Sequence, residues 1–205
     1  TCALPISLQI RKQFRFLILK KRSINPLLFG LCRVIYNYMS NNRQLTSKKC
    51  GPLTGSARIP GDKSISHRSL ILGGLAVGET MISGLLESED VLSTASAMRA
   101  FGAKVFKSED GLWHTYGMGI GGLHEPEGVL DMGNSGTSTR LLAGLAGGHN
   151  ITTFFTGDAS LVKRPMKRIM DPLEMMGATF MSREGGRLPL VVKGPETLLP
   201  IEYRL

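Results

Sequence analysis

One succession of short strands and helices occurs twice in this chain, and the repeat restricts the possible folds more than any other feature. In each copy an apolar segment ends in a glycine-containing loop, and a helix, a second strand, a second helix and a hairpin follow. The segments MRAFGAKV at 98–105 and LEMMGATF at 173–180 occupy corresponding places, 75 residues apart. Each copy has an apolar side that a neighbouring unit must cover. The sequence therefore predicts an α/β architecture of repeated βαβαββ units, for which two units alone are expected to be too few.

The elements of the first copy follow from apolar periodicity and from turn residues. Helices are predicted where apolar residues recur every three to four positions, and strands where β-branched residues form short runs. The predicted elements are a strand at 57–60, a helix from Ile65 to about Gly78, a strand at 80–85, a helix from a Ser88 cap to Gly102, and hairpin strands at 104–107 and 112–116.

The second copy has the same order of elements. The same patterns predict a strand at 130–132, a helix through Leu141 to Gly147, a strand at 151–156, a helix from about Pro165 to Gly177, and hairpin strands at 179–182 and 188–193. The agreement between the copies supports the predicted repeat.

The formal net charge of +9 arises in the first fifty residues. These contain ten Lys and Arg residues and no Asp or Glu, whereas the rest of the chain has 15 basic and 16 acidic residues. A nucleic-acid-binding face is therefore not indicated after residue 50. All three cysteines, Cys2, Cys32 and Cys50, lie in the same segment, so the rest cannot form a disulfide framework or a cysteine metal site.

Two regions are predicted from this shift in composition: a basic N-terminal segment at 1–50 and a partial domain with two βαβαββ units at 51–205. The apolar stretches at 16–19 and 27–29 are far shorter than the ~18 residues that a membrane span needs. The segment begins with Thr1 rather than Met. Non-native or disordered sequence, a transit peptide and a nucleic-acid-binding arm are the alternatives for it.

An anion-binding pattern occurs where the first strand of the first copy meets its helix. The loop is GDKSISHR at 61–68, with Lys63 at its mouth and Arg68 about one turn further on. Ser64 or Ser66 is predicted to cap the helix and to leave backbone N–H groups facing outward. The pattern suits a phosphate or carboxylate ligand. The alternative is an ordinary capped helix with solvated basic residues.

Two further loops have similar chemistry. GNSGTSTR at 133–140 combines glycines, which permit close backbone approach, with four hydroxyl groups, and it lacks the Lys of a nucleotide P-loop. GDASLVKRPM at 157–166 places Lys163 and Arg164 ahead of Pro165, which suits the first position of a helix. Positive charge at a helix start is unfavourable unless an anion binds there. The three loops together predict a substrate with several negative charges.

The histidines and Trp113 receive structural interpretations. His67 is expected to pack or to form a hydrogen bond within the first loop. His114, His124 and His149 lie in hairpin or turn segments without the spacing of metal ligands. Trp113 is expected to lie in the core.

The three loops resemble the signature segments of the EPSP synthase family, in its bacterial form. The resemblance rests on GDKSISHRS at 61–69, GNSGT at 133–137 and GDASLVKRPM at 157–166, and it covers about residues 51–205. It implies an inverse α/β barrel fold of two domains, each with three βαβαββ units, of which this chain has two units. It also implies transfer of the enolpyruvyl group of phosphoenolpyruvate to the 5-hydroxyl of shikimate 3-phosphate, with release of phosphate, in chorismate and aromatic amino-acid synthesis.

The resemblance further implies a cytoplasmic, usually monomeric enzyme that uses no metal or cofactor and binds neither nucleic acid nor membrane. A plastid location is the alternative if the basic segment is a transit peptide. Lys63 is expected to contact both substrates and to act electrostatically in catalysis. The substrate-binding residues implied are Lys63, Ser64 and Arg68 for shikimate 3-phosphate, and Lys63, Asn134, Gly136, Thr137 and Arg164 for phosphoenolpyruvate. Because Gly136 has no side chain to crowd the inhibitor glyphosate, an inhibitor-sensitive type is expected.

The chain also departs from the family pattern. The family's acid–base Asp and Glu, and its serine/glutamine substrate segment, would follow Leu205, so this chain alone is expected to give no turnover. A non-catalytic fragment that binds a phosphate ligand is the alternative function. The sister transferase acting on UDP-N-acetylglucosamine fits less well, because it usually has Asn where this chain has Ser64, and a reactive cysteine, which residues 51–205 lack.

Overall fold

The computed structural model describes residue 52 and residues 54–204. The predicted basic segment at 1–50 lies outside the described residues, and the boundary at residue 50 stays a prediction. The elements below all belong to the unit Ala57–Leu205. In the described residues they are α1 (Lys63–Leu75), β1 (Val77–Ile82), α2 (Glu89–Ala100), β2 (Lys104–Lys107), β3 (Trp113–Met118), β4 (Leu130–Asp131), α3 (Gly136–Gly147), β5 (Thr152–Thr156), a 3₁₀ turn (Leu161–Lys163), α4 (Lys167–Met175), β6 (Thr179–Arg183) and β7 (Arg187–Lys193).

Each copy of the repeat forms its own sheet, and the predicted α/β class is confirmed. In the first copy the strand order is β1-β3-β2, with antiparallel pairs such as Ile82↔Trp113 and Lys104↔Tyr116. In the second copy the order is β4-β5-β7-β6. There β4 pairs in parallel with β5, and the remaining pairs are antiparallel. The order β5-β7-β6 therefore repeats the order β1-β3-β2.

The predicted strand at 57–60 is wrong. These residues are exposed and carry no strand assignment, whereas the corresponding β4 is held by its ladder with β5. A strand is stabilised by backbone hydrogen bonds to a neighbouring strand. Within the described part of the chain, no strand pairs with residues 57–60. The apolar character of this segment therefore indicated its place in the repeat but not its conformation.

Three smaller corrections concern element boundaries. The strand predicted at 80–85 is Val77–Ile82, because the turn after α1 is completed earlier than expected. The helix predicted from Pro165 begins at Lys167, and Leu161–Lys163 forms a separate 3₁₀ turn before it. The first helix is capped by Asp62, whose carboxylate accepts the Ile65 N–H at 2.8 Å, rather than by a serine. A carboxylate is as good an N-cap as a hydroxyl, and Asp62 precedes the first helical residue.

The helices of both copies share one hydrophobic core with the inner faces of the sheets. Phe101 and Met98 of the first copy and Phe155 and Leu142 of the second are fully buried. Trp113 is buried as predicted, and its indole N–H donates to Glu87. The shared core holds the starts of α1, α2 and α3 in one arrangement, which positions the loops considered next.

Glycine backbones set how closely α1 approaches β3. A Cβ atom added to Gly117 of β3 would overlap the carbonyl oxygens of Ala76 and Gly73 at the end of α1. The helix thus lies directly on the strand backbone, with no side chain between them. None of the helices in the described part of the chain combines the length and apolar composition that a membrane-spanning helix requires.

Candidate functional site

The first loop presents a paired lysine at the start of α1. Lys63 is the first residue of the helix, and its ammonium group forms an ion pair with the Asp90 carboxylate of α2. The Arg68 guanidinium donates to the Ser64 carbonyl oxygen at 3.1 Å, one turn back along the helix. All three predicted residues are exposed. Lys63, Ser64 and Arg68 therefore share one accessible patch at the N-terminus of α1, where an anion is favoured.

The second loop forms the start of α3. Ser135 caps this helix, because its hydroxyl accepts the Ser138 N–H at 3.2 Å. Gly136 is the first helical residue and is buried, whereas Thr137 beside it is exposed. The predicted residues of this loop thus lie at a second helix N-terminus.

The third loop meets the second through a chain of hydrogen bonds. The Asp158 carboxylate accepts the Leu161 N–H at 2.7 Å and the Asn134 amide N–H at 2.6 Å. The Arg164 guanidinium donates to the Asn134 amide oxygen at 2.7 Å. These contacts lower the pKa of Asp158, mainly through the bond from Asn134. An ionised Asp158 therefore orients Asn134, and Asn134 orients Arg164.

Arg140 joins this group, although sequence reasoning assigned it no role. Its guanidinium donates to the carbonyl oxygens of Gly136 and Pro165, each at 3.3 Å. Burial lowers the pKa of Arg140, and the charges of Arg168 and Arg164 lower it further. Positive groups held together in this way favour the binding of an anion between them.

A signal for Arg140 was present in the repeat. Arg68 lies four residues after Ser64 and donates to its carbonyl oxygen, and Arg140 stands in the same relation to Gly136. Comparison of the two loops residue by residue would therefore have paired Arg140 with Arg68.

Gly136 lies next to the guanidinium groups of Arg140 and Arg164. A Cβ atom at Gly136 would stand 3.1 Å from Arg140 Nη1 and 3.2 Å from Arg164 Nη1. The absence of a side chain thus lets both guanidinium groups lie close to the backbone at Gly136. The structure brings Asn134, Gly136 and Arg164 together as one group and Lys63, Ser64 and Arg68 as another.

The two groups are connected through buried side chains rather than through the solvent. His67 of α1 lies within 3.2 Å of the Ser138 hydroxyl of α3. The predicted hydrogen-bonding role of His67 is confirmed, since its Nδ1 also contacts Thr94 Oγ1 at 2.8 Å. The starts of α1 and α3 therefore belong to one packed arrangement.

His114 and His149 form their hydrogen bonds outside these loops. His114 contacts Glu79 and Ser108 on the hairpin sheet, and the bond from His114 lowers the pKa of Glu79. His149 Nδ1 lies 2.8 Å from the Leu145 carbonyl oxygen in the turn after α3. In the described part of the chain, no group of three His, Cys, Asp or Glu residues is arranged to hold a metal ion.

Comparison with known proteins gives consistent matches. The family model of EPSP synthase (3-phosphoshikimate 1-carboxyvinyltransferase) matches residues 47–205. A 3-phosphoshikimate 1-carboxyvinyltransferase of Novosphingobium aromaticivorans is 63% identical over 155 residues, which make up 76% of this chain and 35% of the relative. One of Paramagnetospirillum magneticum is 60% identical over 163 residues, or 80% of this chain and 36% of the relative.

A solved structure of an EPSP synthase from Acinetobacter baumannii is also similar. It shares 44% sequence identity and a TM-score of 0.69 over 73% of this chain and 34% of that chain. This chain thus spans about a third of the length of the relatives that it matches.

Proposed function

The chain belongs to the EPSP synthase family, and on that premise we propose that its residues serve the transfer of an enolpyruvyl group. The donor is phosphoenolpyruvate, the acceptor is the 5-hydroxyl of shikimate 3-phosphate, and phosphate is released. The observation that carries the proposal is the meeting of Asn134, Gly136 and Arg164 beside Arg140 at the start of α3. Two guanidinium groups beside a glycine at a helix N-terminus suit a small ligand that carries both a carboxylate and a phosphate.

Each of the two groups of loop residues is assigned to one substrate. We assign the phosphate of shikimate 3-phosphate to Ser64 and Arg68 at the start of α1. Phosphoenolpyruvate is assigned to the group around Gly136, with Thr137 at its exposed edge. Both helix N-termini favour anions, so each substrate binds where the backbone supports its charge.

Lys63 is assigned to both substrates and stabilises negative charge that develops on the leaving phosphate. In the structure its ammonium group is paired with Asp90. The phosphate of a bound substrate would therefore compete with the Asp90 carboxylate for the Lys63 ammonium group.

The same proposal includes a cytoplasmic, monomeric enzyme, which cell fractionation and light scattering of the purified protein would test.

The activity is best tested in a hybrid enzyme. In it, the segment of the Novosphingobium relative that matches this chain is replaced by the corresponding residues of this chain. If the proposal is right, the hybrid releases phosphate from both substrates within about tenfold of the rate of its parent. A folded hybrid without this activity would contradict the proposal.

A second measurement separates catalysis from binding. Calorimetric titration of the 205-residue chain with shikimate 3-phosphate reports binding without any need for turnover. Binding by the chain together with an inactive hybrid would favour the non-catalytic phosphate-binding alternative. Use of UDP-N-acetylglucosamine as acceptor by the hybrid would favour the sister transferase.

Gly136→Ala is expected to raise the inhibition constant of glyphosate in the hybrid enzyme. The added methyl group would stand 3.1–3.2 Å from two guanidinium nitrogens, so it would both displace them and narrow the pocket. One methyl group in a binding pocket changes affinity by about 10- to 200-fold. The Michaelis constant for shikimate 3-phosphate should stay near its original value, because that substrate is assigned to α1.

The matched control is Gly144→Ala in the same helix, where an added Cβ meets no atom within 4 Å. Gly144→Ala should leave the inhibition constant as it is. An inhibition constant that Gly136→Ala leaves unchanged would refute both the inhibitor-sensitive assignment and the place given to Gly136.

A further inference from the structure

A buried chain of hydrogen bonds joins three helices beneath the two substrate loops. It runs through Ser135, Ser138, Thr94 and His67, each at most 1% exposed. Ser135 Oγ lies 2.6 Å from Ser138 Oγ, which lies 2.6 Å from Thr94 Oγ1, and Thr94 Oγ1 lies 2.8 Å from His67 Nδ1. Residues from both copies of the repeat therefore share one polar network inside the core.

The protons of this network are assigned a direction from Ser135 towards His67, which gives every hydroxyl group an acceptor. Ser135 Oγ already accepts the Ser138 N–H, so its own proton is directed to Ser138 Oγ. Ser138 then donates to Thr94, and Thr94 donates to His67 Nδ1. Thr94 has two acceptors within reach, His67 Nδ1 at 2.8 Å and the Asp90 carbonyl oxygen at 3.3 Å, and its proton is assigned to the nearer one, the nitrogen lone pair. The opposite direction would leave the Ser135 proton without an acceptor among the contacts of the described residues.

With this assignment, His67 is a neutral imidazole whose proton lies on Nε2. Burial lowers its pKa, and the charges of Lys63 and Arg68 lower it further, while Asp90 acts in the opposite sense. Nε2 is buried and has no hydrogen-bond partner among the described residues. A charged imidazole would also put a proton on Nδ1 and turn the Thr94 proton to the more distant Asp90 carbonyl oxygen.

The ends of the network are tied to both substrate loops. His67 lies one turn after Lys63 and directly before Arg68. Thr94 Oγ1 lies 3.3 Å from the Asp90 carbonyl oxygen, and the Asp90 carboxylate holds Lys63. At the other end, Ser135 caps α3 immediately before Gly136.

We propose that His67 is a positioning residue. As the neutral acceptor at the end of the Ser135–Ser138–Thr94 chain, it holds the start of α1 in a fixed position relative to the start of α3, and this relative position is called the register of the two loops. This register sets the spacing between the shikimate 3-phosphate loop and the phosphoenolpyruvate loop. The naming of the two ligands rests on the proposed function, whereas the register of the two loops does not.

The register is tested by amide hydrogen exchange on the 205-residue chain. His67→Leu and Thr94→Val each remove a member of the network while keeping a side chain of similar size. Each should speed exchange at the first turns of α1 and α3 by about tenfold, the effect of one lost buried hydrogen bond. Exchange in the β5–β7 ladder serves as the internal control, since global destabilisation would speed it equally.

His67→Asn provides the rescue, because its amide oxygen can accept the Thr94 proton where Nδ1 does. Exchange at both first turns should return to within about threefold of the original rate. Equal exchange in all four proteins, or His67→Asn behaving like His67→Leu, would overturn the proposal. So would a nitrogen NMR spectrum of His67 that shows a proton on Nδ1 near neutral pH.

Titration of the same variants with shikimate 3-phosphate separates this inference from the proposed function. If the chain binds the ligand, His67→Leu should weaken binding by about tenfold, and His67→Asn should restore it. If the unchanged chain binds no shikimate 3-phosphate, the assignment of the ligand fails, and the exchange rates still decide the role of His67.

Discussion

Arg164→Gln is expected to lower kcat/KM for phosphoenolpyruvate in the hybrid enzyme by about 100-fold or more. The substitution removes the cation and its bond to the Asn134 amide oxygen. Asn134 stays in place because Asp158 still accepts its amide N–H at 2.6 Å. The loss should therefore report the missing charge rather than a rearranged loop.

Steady-state kinetics with each substrate varied in turn would measure this effect. The control is Arg183→Gln in β6, where the side chain is exposed and lies outside the proposed site. It removes the same charge and should leave kcat/KM within about twofold. If Arg164→Gln and Arg183→Gln reduced kcat/KM equally, Arg164 would have only a general electrostatic effect.

Gly117→Ala is expected to lower the free energy of unfolding of the chain by about 3 kcal/mol. The new methyl group would overlap the carbonyl oxygens of Ala76 and Gly73, and backbone atoms cannot rotate away as a side chain can. The end of α1 would have to separate from β3. That movement would open the contact between the first helix and its sheet.

Urea unfolding followed by circular dichroism would measure the change. Gly144→Ala is again the matched control, because its Cβ meets open space on a helix. It should stabilise the chain by about 0.5–1 kcal/mol, since alanine loses less backbone entropy than glycine in a helix. Equal stability of Gly117→Ala and the unchanged chain would show that α1 does not lie against β3 as described.

The helices and most strands could be predicted because their signals are local. α2 begins directly after Ser88, as its apolar spacing predicted, although the Ser88 hydroxyl makes no capping hydrogen bond. β2 follows a short run before a turn and also occurs where the pattern placed it. The strand at 57–60 could not be judged in this way. Its apolar residues resemble those of β4, but only the presence of a paired neighbour distinguishes a strand from an extended segment.

Part of the candidate site could also be predicted, because its signals are local in the sequence. The loops around Lys63, Gly136 and Arg164 carry glycines and basic residues within a few positions, which identifies anion chemistry without a structure. The sequence does not show which of these residues contact one another. Arg164 and Asn134 are 30 residues apart in the chain, and His67 and Ser138 are 71 apart. No local pattern relates such pairs.

The sequence by itself thus determined the order of elements, the repeat and the kind of ligand, because periodicity, turn chemistry and charge act over a few residues. Only the tertiary structure decided that Arg140 and Arg164 lie together beside Gly136 and that a buried histidine links the two loops. These contacts depend on how the helices of two copies pack into one core. Packing brings together distant residues whose interaction energy appears only once the core has formed.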